Sequence, residues 1–178
     1  LLMANKKGTL MMTDGVNKRY FNTIDQTGDF GRVYGIDKDK KGNYWIATKG
    51  TGLIKMTPNG KGGYNYKRYR KGNNYSLNDD NTYSTIEDNE GNIWVATYGG
   101  GVNVITKDRN GTEIVVNCNN MMKHYPANEF KKVRTLALDK KGRVWAGTTD
   151  GVIILSLKNH NIKMLPVEDT KDAEKNMN

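Results

Sequence analysis

The sequence predicts an all-β fold built from propeller-type blades. Three observations carry that reading: a motif that returns about every fifty residues, a tryptophan at one fixed place in each good copy, and glycine steps that cut the chain into short strands. The 20 glycines are too many for a helical bundle. No segment shows a convincing amphipathic helical period.

The motif has the form D-x-x-G-x-x-W-x-[AG]-T. It runs from Asp39 through Gly42 and Trp45 to Thr48, from Asp88 through Gly91 and Trp94 to Thr97, and from Asp139 through Gly142 and Trp145 to Thr148. Asp followed by Gly at this spacing reads as a hairpin turn, because Asp can bond the local backbone and Gly supplies positive φ. Each Trp sits in a short β-rich strand, where its ring would fill the space between neighbouring sheets. A worn fourth copy is expected at Asn5 to Thr13, with Met11 in the Trp position.

The flanks repeat as well. Val33-x-x-Ile36, Tyr83-x-x-Ile86 and Val133-x-x-Leu136 precede the turn, and apolar runs starting at Gly52, Gly101 and Gly151 follow the Thr. Alternating polar-aromatic segments at Tyr64–Arg70 and Met122–Tyr125 read as exposed outer strands. That makes about four strands per repeat, the count for a propeller blade. The organisation expected is a blade region over residues 1–165, with about three complete four-stranded blades plus a partial one, and a polar tail over 166–178. With an incomplete first copy, an open arc from a larger ring and a longer protein is expected. Its end sheets would expose apolar faces and favour self-association.

The stretch from Ser76 to Asn103 resembles the two-component regulator propeller repeat. It carries Ser76-Leu77 before a turn, Glu87-Asp88 at a strand end, Gly91-Asn92-Ile93-Trp94, and Gly99-Gly100-Gly101-Val102-Asn103. The other copies match more loosely over residues 5 to 157. The resemblance implies the extracytoplasmic input region of a bacterial hybrid two-component sensor, hence a periplasmic location. It implies an oligosaccharide or other small ligand, and as partners the remaining blades and downstream sensor domains. Kinase chemistry would lie outside this segment. The motif residues build blades, so no catalytic site, cofactor or metal carries over.

Composition narrows the alternatives. The chain has 178 residues, 28 basic and 19 acidic groups and a net charge of +9, with a pI near 9.5 and mean hydropathy of −0.77. No apolar run is long enough to span a bilayer as a helix. One cysteine, Cys118, excludes an internal disulfide framework and reads as a free, partly buried thiol. The run Lys67-Arg68-Tyr69-Arg70-Lys71 interleaves bases with an aromatic, as a strand-binding surface does. A solvated outer strand is favoured over nucleic-acid binding. Asp37-Lys38-Asp39 and Asn78-Asp79-Asp80-Asn81 lack the glycine and terminal glutamate of a calcium loop and read as turns.

Neither of two propeller enzyme types fits the sequence. A sialidase-type Asp box places Asp two residues before Gly, whereas here the interval is three. A lyase-type propeller needs a His with an acidic partner on one face. The two histidines, His124 and His160, are expected on the surface, in an outer strand and in a turn. Ligand contacts are expected from loops: Lys49, Tyr98, Thr149 and Asp150 in the hairpins after the repeated Thr, and Tyr75, Asn78 and Asn128 in the connections between blades. The candidates singled out are Tyr98, Lys49, Asp150, Tyr75 and Asn78. A non-catalytic sensor is the function expected, with a protein-binding scaffold as the alternative and, last, a propeller lyase or other enzyme.

Overall fold

The computed structural model describes residues 1–5, 7–21, 28–122, 124–158 and 161–165. The tail 166–178 and His160 lie outside the described residues. The strands form four antiparallel sheets, each with its strands in sequence order. The first holds β1 (Leu2–Ala4), β2 (Leu10–Thr13) and β3 (Lys18–Phe21). The second holds β4 (Arg32–Lys38), β5 (Tyr44–Lys49), β6 (Leu53–Pro58) and β7 (Tyr64–Tyr69). The third holds β8 (Thr82–Glu87), β9 (Ile93–Thr97), β10 (Gly101–Lys107) and β11 (Glu113–Val116). The fourth holds β12 (Val133–Leu138), β13 (Val144–Thr148), β14 (Gly151–Lys158) and β15 (Asn161–Leu165).

The repeated turn forms for the reason its residues imply. Asp39 Oδ1 accepts from the backbone N–H groups of Lys41 (3.0 Å) and Asn43 (2.8 Å). Gly42 adopts φ +85°, a conformation costly for any residue with a Cβ. Asp88 and Asp139 repeat the arrangement. So do Asn59 and Asp108 in the hairpins leading to β7 and β11. One turn therefore serves two hairpins of the second and third blades.

Alternation along the strands buries both faces of the inner sheets. Trp45, Ala47, Leu53 and Tyr69 of the second sheet pack on Ile93, Val95, Ile105 and Val115 of the third. Trp94, Ala96, Val102 and Val104 of the third pack on Val133, Val144, Ala146 and Ile153 of the fourth. Trp45 and Trp94 are 2% and 1% exposed, and each fills an inter-sheet layer. Burying such a ring is worth roughly 5 kcal/mol before conformational entropy is counted. The first strands β4, β8 and β12 pack side by side, so the sheets converge at that edge.

Three local expectations are corrected. Met11 does not take a Trp position. Ala4 pairs with Leu10 and Leu10 with Phe21, as Ala47 pairs with Leu53 and Leu53 with Tyr69. Thus β1, β2 and β3 match β5, β6 and β7, and Met11 is the counterpart of Ile54. The same Asx turn recurs at different hairpins, so its residues alone do not say which hairpin they make. Second, Met122 to Tyr125 is no outer strand. Met122 and Tyr125 are buried in the connection after β11, and His124 lies exposed in a turn there. Third, Thr82, not Tyr83, stands opposite the repeated Thr as Val33 and Val133 do.

The end faces differ from the inner ones. Met3 and Tyr20 on the first sheet are 39% and 59% exposed, and Val152 on the fourth is 41% exposed. By register Val152 is the counterpart of Leu53, which is fully buried against the next sheet. Trp145 is likewise only half-buried.

Candidate functional site: a tyrosine and arginine rim

The converging strands share a defect. Pairing shifts register between Val33 and Gly35 in β4, between Thr82 and Ser84 in β8, and between Val133 and Thr135 in β12. The residues skipped are Tyr34, Tyr83 and Arg134. A bulge releases its extra residue from the ladder and re-aims the side chain. Each bulge begins just after the residue paired with the repeated Thr (Thr48, Thr97 or Thr148). Adjacent blades therefore present these side chains at the same level of the inner edge.

The side chains meet. The Tyr34 and Tyr83 rings stack with centroids 4.4 Å apart at 22°, and Tyr83 stacks on Tyr98 at 5.2 Å and 26°. Tyr98 comes from the hairpin after β9, fixed by its N–H donating to the Asn81 carbonyl (2.9 Å) and by a bridge to Lys132. The Arg134 guanidinium lies 5.3 Å from the Tyr98 ring centre, and its Nη2 donates to the Tyr98 hydroxyl at 3.3 Å. Lys132 Nζ lies 5.7 Å from the same ring centre. Arg32 and Lys49 pair across β4 and β5 at the other end of the stack.

These groups act on one another. Burial pushes the Tyr34 hydroxyl up, but hydrogen bonds with Tyr83 and Arg32 and the charges of Lys49 and Arg32 outweigh it and hold it below the usual phenol value. Arg134's hydrogen bond, with its charge and that of Lys132, holds Tyr98 below that value too. Tyr83 is raised, by burial and by its bond to Tyr34. The rim offers flat apolar rings, hydroxyls and cations, which suit binding of a ring-bearing polar molecule. Among the described residues, no cluster of three or more His, Cys, Asp and Glu is placed to hold a metal ion.

The sequence candidates divide. Tyr98 is in the stack, Lys49 borders Tyr34, and Asp150 lies near enough to Tyr98 to oppose its shift. Tyr75 lies elsewhere, 50% exposed at φ +54°. It lines a depression of about 360 Å³ with Asn73, Asn74, Asn117 and Asn120. Asn78 is not a surface group: it is 9% exposed. It donates to the Gly100 carbonyl (2.7 Å) and accepts from Asn103 (2.8 Å), so it serves the packing of its connection. Tyr34, Tyr83, Arg32, Lys132 and Arg134 were missed. Tyr34, Tyr83 and Arg134 each follow the residue opposite the repeated Thr, a place that only the strand pairing reveals.

The basic run on β7 is occupied by neighbours. Lys67 pairs with Glu113 (2.5 Å), Arg68 donates to the Thr51 and Asp29 carbonyls, and Arg70 lies 3.7 Å from Asp80. The two acidic runs make turn and strand contacts. Asp37 accepts from the Thr85 N–H and hydroxyl, Asp79 caps Asn81 N–H, and Asp80 accepts from Lys71 N–H.

Consecutive meanders converging on their first strands define an arc of a β-propeller. Residues 76–99 and 129–150 match the model of the two-component regulator propeller. Those two segments are similar to that repeat and make up about a quarter of the chain. The structure is similar to the extracellular domain of BT4673 from B. thetaiotaomicron, described as a hybrid two component system. The TM-score is 0.66 and the identity 25%, over 89% of this chain and 22% of that one. It is similar to the corresponding domain of BT3049 from the same organism at TM-score 0.63 and 19% identity, over 93% and 24%. Virginiamycin B lyase from Staphylococcus aureus shares the fold at TM-score 0.53 and 16% identity, over 84% and 45%. The chain spans between a fifth and a quarter of the length of the first two structures. Comparison with curated protein sequences gives no match.

Proposed function

We propose that this chain is a non-catalytic, ligand-sensing segment from the periplasmic propeller region of a bacterial hybrid two-component sensor. It binds an oligosaccharide at the rim and signals to a kinase outside the segment. The observation that carries this reading is the Tyr34–Tyr83–Tyr98 stack, assembled from two blades where the sheets converge. Sugar rings present C–H faces that pack on aromatic rings, and flanking hydroxyls and cations supply polar contacts. The repeat match and the likeness to extracellular sensor domains support it. Signalling requires that the ligand bind one arrangement of blades better than another, because only differential affinity shifts an equilibrium. The end faces take neighbouring blades of the parent, or a second copy when the chain stands alone.

Calorimetry of the chain, and of the whole ectodomain that contains it, against a panel of oligosaccharides tests the reading. Binding that disappears in Tyr83→Ala supports it. Binding only to proteins would make the chain a scaffold. Turnover of a bound glycan that is lost on replacing His124 and His160 would make it an enzyme.

A further inference from the structure

We infer that the rim selects an anionic oligosaccharide, one carrying a carboxylate or sulfate on a sugar ring. This rests on the ligand-binding reading above and adds the charge class of the ligand.

The warrant is how the basic residues are used. Away from the rim, many of them are engaged within the fold. Lys67 pairs with Glu113, Arg70 with Asp80 and Arg143 with Asp139. Arg68 and Arg19 donate to backbone carbonyls. The rim gathers Arg32, Lys49, Lys132 and Arg134 around three rings. Among the described residues, none of these four is ion-paired with a carboxylate. Two acids lie near: Asp150 accepts from the Thr149 hydroxyl at 2.8 Å, and Asp79, against Gly99, accepts from the Asn81 N–H at 2.7 Å. Like charges gathered without acidic partners cost stability, and a bound anion removes that cost.

Geometry fits the same ligand. Tyr34 ends the stack and is 39% exposed, leaving ring surface for a sugar face. Arg32 and Lys49 flank that end, while Arg134 and Lys132 flank the other. A guanidinium offers two parallel N–H donors that match a carboxylate or sulfate edge. A uronate and a sulfated sugar share this chemistry.

The test uses the 178-residue chain with matched sets of neutral, uronate-containing and sulfated oligosaccharides, read by calorimetry at low and high salt. The acidic sets should bind at least tenfold more tightly than their neutral counterparts and weaken with salt. Whichever acidic set binds names the anion. Arg32→Gln with Arg134→Gln should erase the preference without moving the thermal midpoint by more than a degree or two. Tyr34→Ala should weaken every set. Equal affinity for neutral and acidic sugars overturns the anion inference and leaves the sugar-binding reading standing. Acidic binding indifferent to Tyr34→Ala overturns it as well, since that is generic ion exchange. Binding to none of the sets overturns both.

Discussion

Asp88 accepts the indole N–H of Trp94 at 2.8 Å with Oδ2, while its Oδ1 holds the turn. The same bond joins Asp39 to Trp45 at 2.9 Å and Asp139 to Trp145 at 3.0 Å. One carboxylate thus shapes a hairpin and satisfies the polar atom of the ring that the next strand inserts between sheets. Asp88→Ala strands a buried indole donor and two turn N–H groups. It should cost about 2–4 kcal/mol. Urea unfolding measures it, and a loss below about 1 kcal/mol would show that the ring needs no anchor.

Acid should weaken the fold through Asp39, Asp139 and Glu113. Burial raises Asp39 and Asp139, but hydrogen bonds from the Trp N–H, a neighbouring side chain and the turn backbone outweigh it and lower both. Glu113 is raised by burial and lowered more by Lys67 and Tyr69. A group depressed in the folded state contributes stability above its unfolded value, near 4, and that contribution fades as pH falls through the folded value. The thermal midpoint should therefore hold from pH 7 to about pH 5 and drop below pH 4. Asp39→Asn with Asp139→Asn should flatten that acid limb. An unchanged limb would assign acid sensitivity to other groups.

Trp45 and Trp145 occupy the same repeat position but unequal surroundings. Replacing the buried Trp45 by Ala should cost about 3–5 kcal/mol. In the dilute monomer, Trp145→Ala, on the half-buried end face, should cost about 1–2 kcal/mol. Equal losses in chemical denaturation would mean that Trp145 is covered in solution.

Such cover would come from another sheet. The chain should self-associate through the faces that carry Met3, Tyr20 and Val152. Sedimentation velocity should show larger species as concentration rises, and Val152→Lys should shift the population to monomer. A chain that stays monomeric throughout would exclude this contact.

Much of the architecture is legible in the residues because Asp, Gly and Trp each meet a separate local demand at fixed spacing. Strand pairing, turn chemistry and ring burial at Trp45 and Trp94 follow from those demands. The first sheet is harder to read: Asn5 and Gly8 mark a turn, yet only the pairing of Leu10 with Phe21 tells which turn it is. Met122 and Tyr125 mimic strand alternation while serving as buried plugs. Of the site, Tyr98 stands out beside three glycines. Tyr34, Tyr83 and Arg134 do not, because a bulge is a mismatch between two strands and has no signature within either one.

The bulges also separate two kinds of variation. A side chain in the ladder faces a neighbouring sheet, so changing it disturbs a packed layer. The skipped position in β4, β8 and β12 answers to no partner across the ladder, and here it holds tyrosine, tyrosine and arginine. Each of these three blades carries one interchangeable slot at the converging edge, like a tumbler in a lock. A new ligand preference could be written into these slots while the Asp–Trp frame stays as it is.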